Sequence, residues 1–282
     1  MFYRKIEERI NRYYADKNAK ILVIDGARQI GKSFIIRETG KKFFKHFVEI
    51  NLKDDSEGDK LFESVRTTED FYLQVSALYG NNLGDVSDTM IFLDEIQVYP
   101  HLLTMLKPLK ADARYRYICS GSLLGITLQH TFIPMGSIDE VKMFPMDFEE
   151  FLWAMGDTVT VPLIKACFES KKPLGQALHR KIMNDFRQYV LVGGMPQSVA
   201  AYLNGKDFEA SDMAKRRILK LYHDDVSKFA EGYEDKVFAL FDGIPAQLSK
   251  KEKKYKLSSL GKKARFRSYE DSFVWLNESM IV

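Results

Sequence analysis

The sequence predicts an α/β domain built on a parallel sheet, followed by an all-helical region. Three observations carry this. Short, continuous apolar runs at residues 21–24 and 90–93, and a strand-like segment at 115–119, are separated by segments with helical spacing. A turn with two glycines, GARQIGKS, follows the first run directly. After residue 147 the apolar positions recur only at helical intervals. Uninterrupted apolar runs suit strands buried on both faces, and parallel strands need crossover helices between them.

Taken in order, residues 2–16 place Ile6, Ile10, Tyr13 and Tyr14 on one helical face. Residues 20–25 form the first strand. A helix over 32–39 follows the turn, and Gly40 is expected to stop it. Residues 47–52 form a second strand, and 67–79 a helix with Phe71, Val75 and Leu78 on one side. Residues 90–93 give a third strand, ending in Asp94-Glu95. Residues 101–113 are helical but interrupted by Pro108. Residues 115–119 enter Ser120-Gly121-Ser122 as a fourth strand, and 138–144 form a fifth. Asp147 and Glu150 fit a capping box opening the helix FEEFLWAM. Helices continue to about 203, broken by the turn Val192-Gly193-Gly194-Met195-Pro196, and another helical region follows Gly205. Residues 236–246, 257–263 and 268–276 give three helices in a helix-turn-helix arrangement. Met280-Ile281-Val282 is the expected first strand of a wing. No partner strand follows it, so the chain is expected to be truncated there. The expected units are a core at 1–146, a helical lid at 147–204 and a helix-turn-helix segment at 205–282.

The 282 residues are 45% hydrophobic and 29% charged, an ordinary soluble composition. No apolar run approaches the roughly 18–20 residues of a membrane span. The charged start MFYRKIEERINRYY has no signal-like apolar core. Two cysteines, Cys119 and Cys167, are too few for a disulfide framework, which sets a reducing cytoplasm as the expectation. His46, His101, His130, His179 and His223 are scattered without metal-ligand spacing. Residues 250–267 hold nine basic residues (Lys250, Lys251, Lys253, Lys254, Lys256, Lys262, Lys263, Arg265, Arg267) and one acid, Glu252. With the whole chain at +3 and this window at +8, the remainder stands at −5. Such a window is a candidate surface for an anionic partner such as nucleic acid, or simply a solvated face.

The turn Gly26-x-x-x-x-Gly31-Lys32-Ser33 fits the phosphate-binding loop. Glycines let the backbone curl so that its N–H groups converge on oxygens, and the following helix adds free N–H groups and the positive end of its dipole. Candidate ATP-binding residues are therefore Gly26, Ala27, Arg28, Gln29, Ile30, Gly31, Lys32, Ser33 and Phe34. Lys32 would reach the β- and γ-phosphates, and the Ser33 hydroxyl would ligate Mg²⁺. The strand end Asp94-Glu95 supplies the complementary acids: Asp94 toward the Mg²⁺, Glu95 to polarise the attacking water. The second acid separates hydrolysis from mere binding. Ser120, favoured over Ser122, is a candidate sensor of the γ-phosphate.

GARQIGKS, IFLDEIQ, ICSGSLLG, FPMDFEEFLWAMG and LVGGMPQSV, in this order, resemble the bacterial and archaeal AAA+-type ATPases with a GARQ-GK[ST] loop. The resemblance runs from residue 1 to about 280. It implies a P-loop NTPase core with sheet order 5-1-4-3-2, a helical lid and a winged-helix segment, often followed by a nuclease-like domain. It also implies a homo-oligomer in which a Gly-Arg before the fifth strand faces a neighbouring nucleotide. Here that segment is Met135-Gly136-Ser137, without an arginine, so slow intrinsic turnover is expected. Arg114 and Arg116 are the nearby substitutes. The leading expectation is an ATPase coupling nucleotide state to motion of the lid and C-terminal helices. The alternative is a nucleic-acid-binding regulator in which nucleotide is mainly a structural switch.

Overall fold

The computed structural model describes residues 2–122, 124, 136–230, 232–250, 254–261 and 264–281. Met135, His130, Lys251, Glu252, Lys253, Lys262, Lys263 and Val282, all invoked above, lie outside the described residues.

The first part alternates helix and strand: α1 (Ile6–Ala15), β1 (Ile21–Asp25), α2 (Lys32–Phe43), β2 (His46–Asn51), α3 (Leu52–Glu57), α4 (Thr68–Tyr79), β3 (Thr89–Asp94), α5 (Pro100–Asp112), β4 (Arg116–Gly121) and β5 (Ile138–Lys142). From there on the described elements are helical: α6 (Phe148–Ala154), α7 (Thr160–Glu169), α8 (Gln176–Val192), α9 (Pro196–Leu203), α10 (Phe208–Phe229), α11 (Glu234–Leu248) and α12 (Glu270–Glu278). The five strands pair in parallel in the order β2-β3-β4-β1-β5, which is the expected 5-1-4-3-2 viewed from the other edge.

Strand alternation divides the core between the two faces of the sheet. Val23, Ile91, Leu93, Tyr117 and Cys119 pack with Phe71, Leu102 and Leu106 of α4 and α5. Leu22, Ile24, Met90, Phe92 and Ile118 pack on the other face with Ile10 of α1 and Ile35 and Ile36 of α2. Ile218 and Tyr222 of α10 join this second cluster, so a helix distant in sequence closes the face that carries the glycine-flanked turn. Further cores form among α6, α8 and α9 and among α10, α11 and α12.

Capping follows the local chemistry. Thr67 and Asp70 form a capping box on α4, and Asp147 and Glu150 form the expected one on α6. Three local expectations are overturned by tertiary packing. Gly40 does not stop α2, which continues to Phe43; a Cβ at Gly40 would lie 2.2 Å from the Phe47 ring, so this glycine makes room for Phe47. Pro108 does not interrupt α5, because Leu102, Leu103, Leu106 and Leu109 are buried on both sides of it and hold the helix together. Met280 and Ile281 do not begin a strand: Met280 has φ +56 and donates its N–H to Asn277 O, ending α12 in a turn, and both side chains pack partly buried. The three C-terminal helical segments are present, the middle one as a 3₁₀ turn at Leu257–Leu260.

Candidate nucleotide-binding site

The site begins where β1 leaves the sheet. Met143 donates its N–H to Asp25 O at 2.7 Å, carrying the β1–β5 pairing to the strand end. A Cβ at Gly26 would then lie 2.4 Å from Met143 O and 2.5 Å from Ile30 Cδ1, so no side chain fits. Gly31 has φ +94, a left-handed conformation that glycine adopts freely. It is also the N-cap of α2 and offers no side chain to the first helical N–H groups, unlike Thr67 and Asp147 at their helices. Those amides are left to a ligand, and their dipole favours an anion. Arg4, missed in the sequence reading, fixes the loop from below. It donates to Ile30 O at 3.0 Å and Phe144 O at 2.7 Å, and its Nε lies 3.2 Å from Glu150 Oε1. A buried arginine near an N-terminus leaves no signal in the sequence.

Lys32 is buried, and its Nζ donates to Gly26 O at 2.7 Å and Ala27 O at 2.9 Å. Burial lowers its pKa, while Glu95, Asp25 and Asp94 act to raise it. The cation is thus held at the loop without a carboxylate in direct contact. Asp94, at the end of β3, accepts a hydrogen bond from the Ser120 hydroxyl. Burial raises its pKa, opposed by hydrogen bonding from Ser120 and Ser33. Ser33 and Asp94 are therefore brought together, as the motif requires.

Glu95 has φ +54, a left-handed conformation uncommon for a residue with a Cβ. The turn throws its carboxylate toward Gln97 and Ser122. Its Oε2 accepts from Gln97 Nε2 at 2.5 Å and from Ser122 Oγ at 2.9 Å. Gly121 permits this, since a Cβ there would lie 2.6 Å from Gln97 Oε1. Ser120, favoured over Ser122 in the sequence, and Ser122 each meet a different acid of the pair. The Ser120 hydroxyl is fully buried and engaged by Asp94, whereas that of Ser122 reaches Glu95. The substitute arginines are engaged elsewhere. Arg116 donates to Tyr13 O and Tyr14 O at 2.8 Å, capping α1, and Arg114 lies 3.9 Å over the Tyr72 ring.

Above the loop opens a cavity of about 800 Å³, lined among others by Arg28, Gln29, Lys32, Ser33, Phe34, Asp94 and Glu95. Its far wall is Pro196, Gln197 and Ala200 of α9 and Leu221 of α10. The Gly193-Gly194 turn, read in the sequence as simply a tight turn, places α9 there. Met146 donates its N–H to Gly194 O at 2.7 Å, and Pro196 Cγ sits 3.8 Å from where a Gly31 Cβ would be. Two loop side chains reach the helices. Gln29 Oε1 accepts from Gln197 Nε2 at 2.6 Å. Arg28 pairs with Asp225 of α10, and Tyr222 donates its hydroxyl to Arg28 O at 3.0 Å.

A parallel sheet in this order, a glycine-flanked loop opening a helix, and an acid pair at the end of the neighbouring strand define a P-loop NTPase of the AAA+ type. Residues 18–152 match a family model described as an AAA domain, and residues 183–282 match one described as a domain of unknown function. Residues 18–152 are thus similar to AAA domains, on the P-loop NTPase fold described above. Among solved structures, the Walker-type ATPase of Pyrococcus abyssi is similar in fold, with a TM-score of 0.54 and 16% identity over 99% of this chain and 90% of that chain. No curated protein matches the sequence. Among the described residues no helix is long and apolar enough to cross a membrane.

Proposed function

We propose that the chain is a Mg-dependent ATPase in which nucleotide state moves a helical lid, residues 147–204, and the C-terminal helices, residues 205–282, against the core, residues 1–146. The observation that carries this reading is the convergence on one cavity of the uncapped α2 N-terminus, the buried Lys32 and both strand-end acids. The residues present suit a magnesium–triphosphate. Gly26 has no room for a side chain, and the Ser33 hydroxyl and Asp94 carboxylate, the donor set for a hard cation, lie together. Ser33 and Asp94 would hold the ion, which supplies neutralisation of phosphate charge. Lys32 would exchange the carbonyls of Gly26 and Ala27 for phosphate oxygens. Glu95, its Oε2 held by Gln97 and Ser122, keeps Oε1 to accept the proton of an attacking water. Ser120 acts at one remove, orienting Asp94.

The test is nucleotide affinity by calorimetry together with phosphate release. Lys32→Ala is expected to lose ATP binding, and Glu95→Gln to keep binding and lose hydrolysis. Retained ATP binding by Lys32→Ala would count decisively against the reading.

A second reading, nucleic-acid binding, is favoured by the exposure of Lys250, Lys254, Arg265 and Arg267 in the basic segment. Binding to duplex DNA is then expected to weaken log-linearly with salt, with a slope near −0.9 per phosphate neutralised. Charge reversal at Arg265 and Arg267 is expected to reduce that slope, and affinity indifferent to both would remove this reading.

A further inference from the structure

We propose that Arg28 is an internal phosphate ligand that exchanges Asp225 for the terminal phosphate, so that ATP binding releases α10 from the loop. The proposal rests on the nucleotide reading of the cavity and adds to it a ligand and a direction of coupling.

Arg28 and Lys32 line the same cavity; burial chiefly lowers the Lys32 pKa, and the Arg28 charge is the smallest of the influences on it. Arg28 is therefore a second cation facing the cavity, its side chain only 20% exposed. Its partner, Asp225, is only 1% exposed, so its carboxylate depends on the guanidinium for compensation. The other charges acting on Asp225 are Lys53, Glu95 and Lys228, and Lys53 and Glu95 also line the cavity. Burial raises the pKa of Asp225 and the Arg28 charge opposes this, so the pair with Arg28 ties this carboxylate to the cavity lining, where a triphosphate would bring more negative charge.

One guanidinium then faces two anions. Arginine binds phosphate through parallel N–H bonds, and a terminal phosphate offers more charge and more acceptor oxygens than a carboxylate. Once Arg28 turns to the phosphate, Asp225 is left as a buried carboxylate without its cation, next to new negative charge. Such a group is strongly destabilising until it rehydrates. Rehydration requires the last turns of α10 to move, and the Tyr222 hydroxyl, one turn earlier, would lose its hold on Arg28 O. Three other arginines are already engaged. Arg4 is bound to the loop backbone and Glu150, Arg116 to the end of α1, and Arg114 is stacked on Tyr72. Linkage is reciprocal, so Asp225 must oppose ATP binding by as much as ATP opposes the latch.

The experiment measures binding of ATP with magnesium, and of ADP, to the full chain and to Asp225→Asn, Arg28→Ala and the double variant. Asp225→Asn is expected to bind ATP on the order of tenfold tighter, within the range usual for coupled sites, with a smaller gain for ADP. In the Arg28→Ala background the gain is expected to vanish. Hydrogen exchange on the wild-type protein gives a second readout independent of whether Asp225→Asn folds. A non-hydrolysable ATP analogue is expected to accelerate exchange at residues 222–229, and ADP to do so less. Unchanged ATP affinity in a folded Asp225→Asn, or exchange at 222–229 that is unchanged or slowed by the analogue, would overturn the proposal. Wild-type protein that binds no nucleotide would instead remove the reading of the cavity itself, and the proposal with it.

Discussion

Replacing Gly194 with alanine would place a methyl carbon 2.2 Å from Met146 O, 3.0 Å from Met146 N and 3.1 Å from Met146 C. All three are backbone atoms, so no side chain can swing aside. Restoring an ordinary contact of 3.4 Å requires the two segments to part by about 1.2 Å (3.4 − 2.2). The Met146 N–H, which donates to Gly194 O at 2.7 Å, would then be stretched beyond hydrogen-bonding range in a buried setting. An unsatisfied buried donor costs about 1–3 kcal/mol and overpacking about another 1–3 kcal/mol, giving a destabilisation on the order of 3–4 kcal/mol. For a chain of this length that corresponds to a fall in Tm of roughly 6–15 °C. A functional effect follows, because Pro196 and Gln197 of the cavity wall begin just after the displaced residue. ATP affinity is expected to drop at least several-fold. The control is Gly80→Ala, where φ is −48 and a Cβ would meet nothing within 4 Å, so stability is expected to stay within about 0.5 kcal/mol. Thermal melting and calorimetric titration of both variants decide the matter. A Gly194→Ala protein melting within a degree of wild type, with unchanged ATP affinity, would refute the close-approach argument and with it the placement of α9 against the loop.

Two further predictions concern single side chains. Ser122→Ala and Gln97→Leu each remove one donor from Glu95 Oε2; loss of a hydrogen bond to a charged group, about 1.5–3 kcal/mol, is expected to lower kcat roughly 10- to 100-fold while KM for ATP changes little. Steady-state phosphate release gives the split, and a rise in KM at constant kcat would show that these residues serve binding instead. Burial pushes the Cys119 thiol well above its ordinary value, whereas Cys167 is partly exposed, so a thiol reagent is expected to label one cysteine in the native protein and both after denaturation; rapid native labelling of both would contradict the burial of β4.

The sequence made legible those features whose causes are local. Continuous apolar runs marked the strands because both faces of this sheet are covered, and the pair Asp147 and Glu150 announced α6 because a capping box closes within one turn. The phosphate loop was readable for the same reason: its glycines answer to a turn closed within six residues. Failures fall where a distant partner decides. Gly40 looks like a helix stop until Phe47 is seen to lie against it. Pro108 looks like a break until the leucines around it are seen to be buried. Ser120 and Ser122 are equivalent in a string of letters, and the fold shows which acid each hydroxyl meets, Asp94 or Glu95. Strand alternation was the available signal, since it puts Ser120 on the face of Ile118, turned toward the loop and Asp94, and leaves Ser122 beyond the strand end. Arg4 and Asp225 gave no signal at all, because a charge that is buried and paired across the chain looks the same in sequence as one in solvent.

Under the proposed reading, a phosphate site can be read from its motif while its connections to the rest of the chain cannot. Of the loop's six residues before Lys32, Gly26 and Gly31 carry no side chain, and Ala27 and Ile30 are buried in the core beneath. On that reading, backbone amides and Lys32 meet phosphate in any loop of this pattern, whereas the motif leaves positions 28 and 29 unspecified. Those two positions contact Asp225 and Gln197, on helices that lie beyond the sheet. Under the proposed reading, the parts of the loop that bind nucleotide are set by general physical requirements, and the parts that transmit its presence are set by which helices this particular chain folds against them. Substitution of Gln29 is then expected to change coupling more than basal binding, substitution of Arg28 to change both, and the same exchange of partners cannot occur in a phosphate loop whose third residue lacks a side chain that reaches a helix.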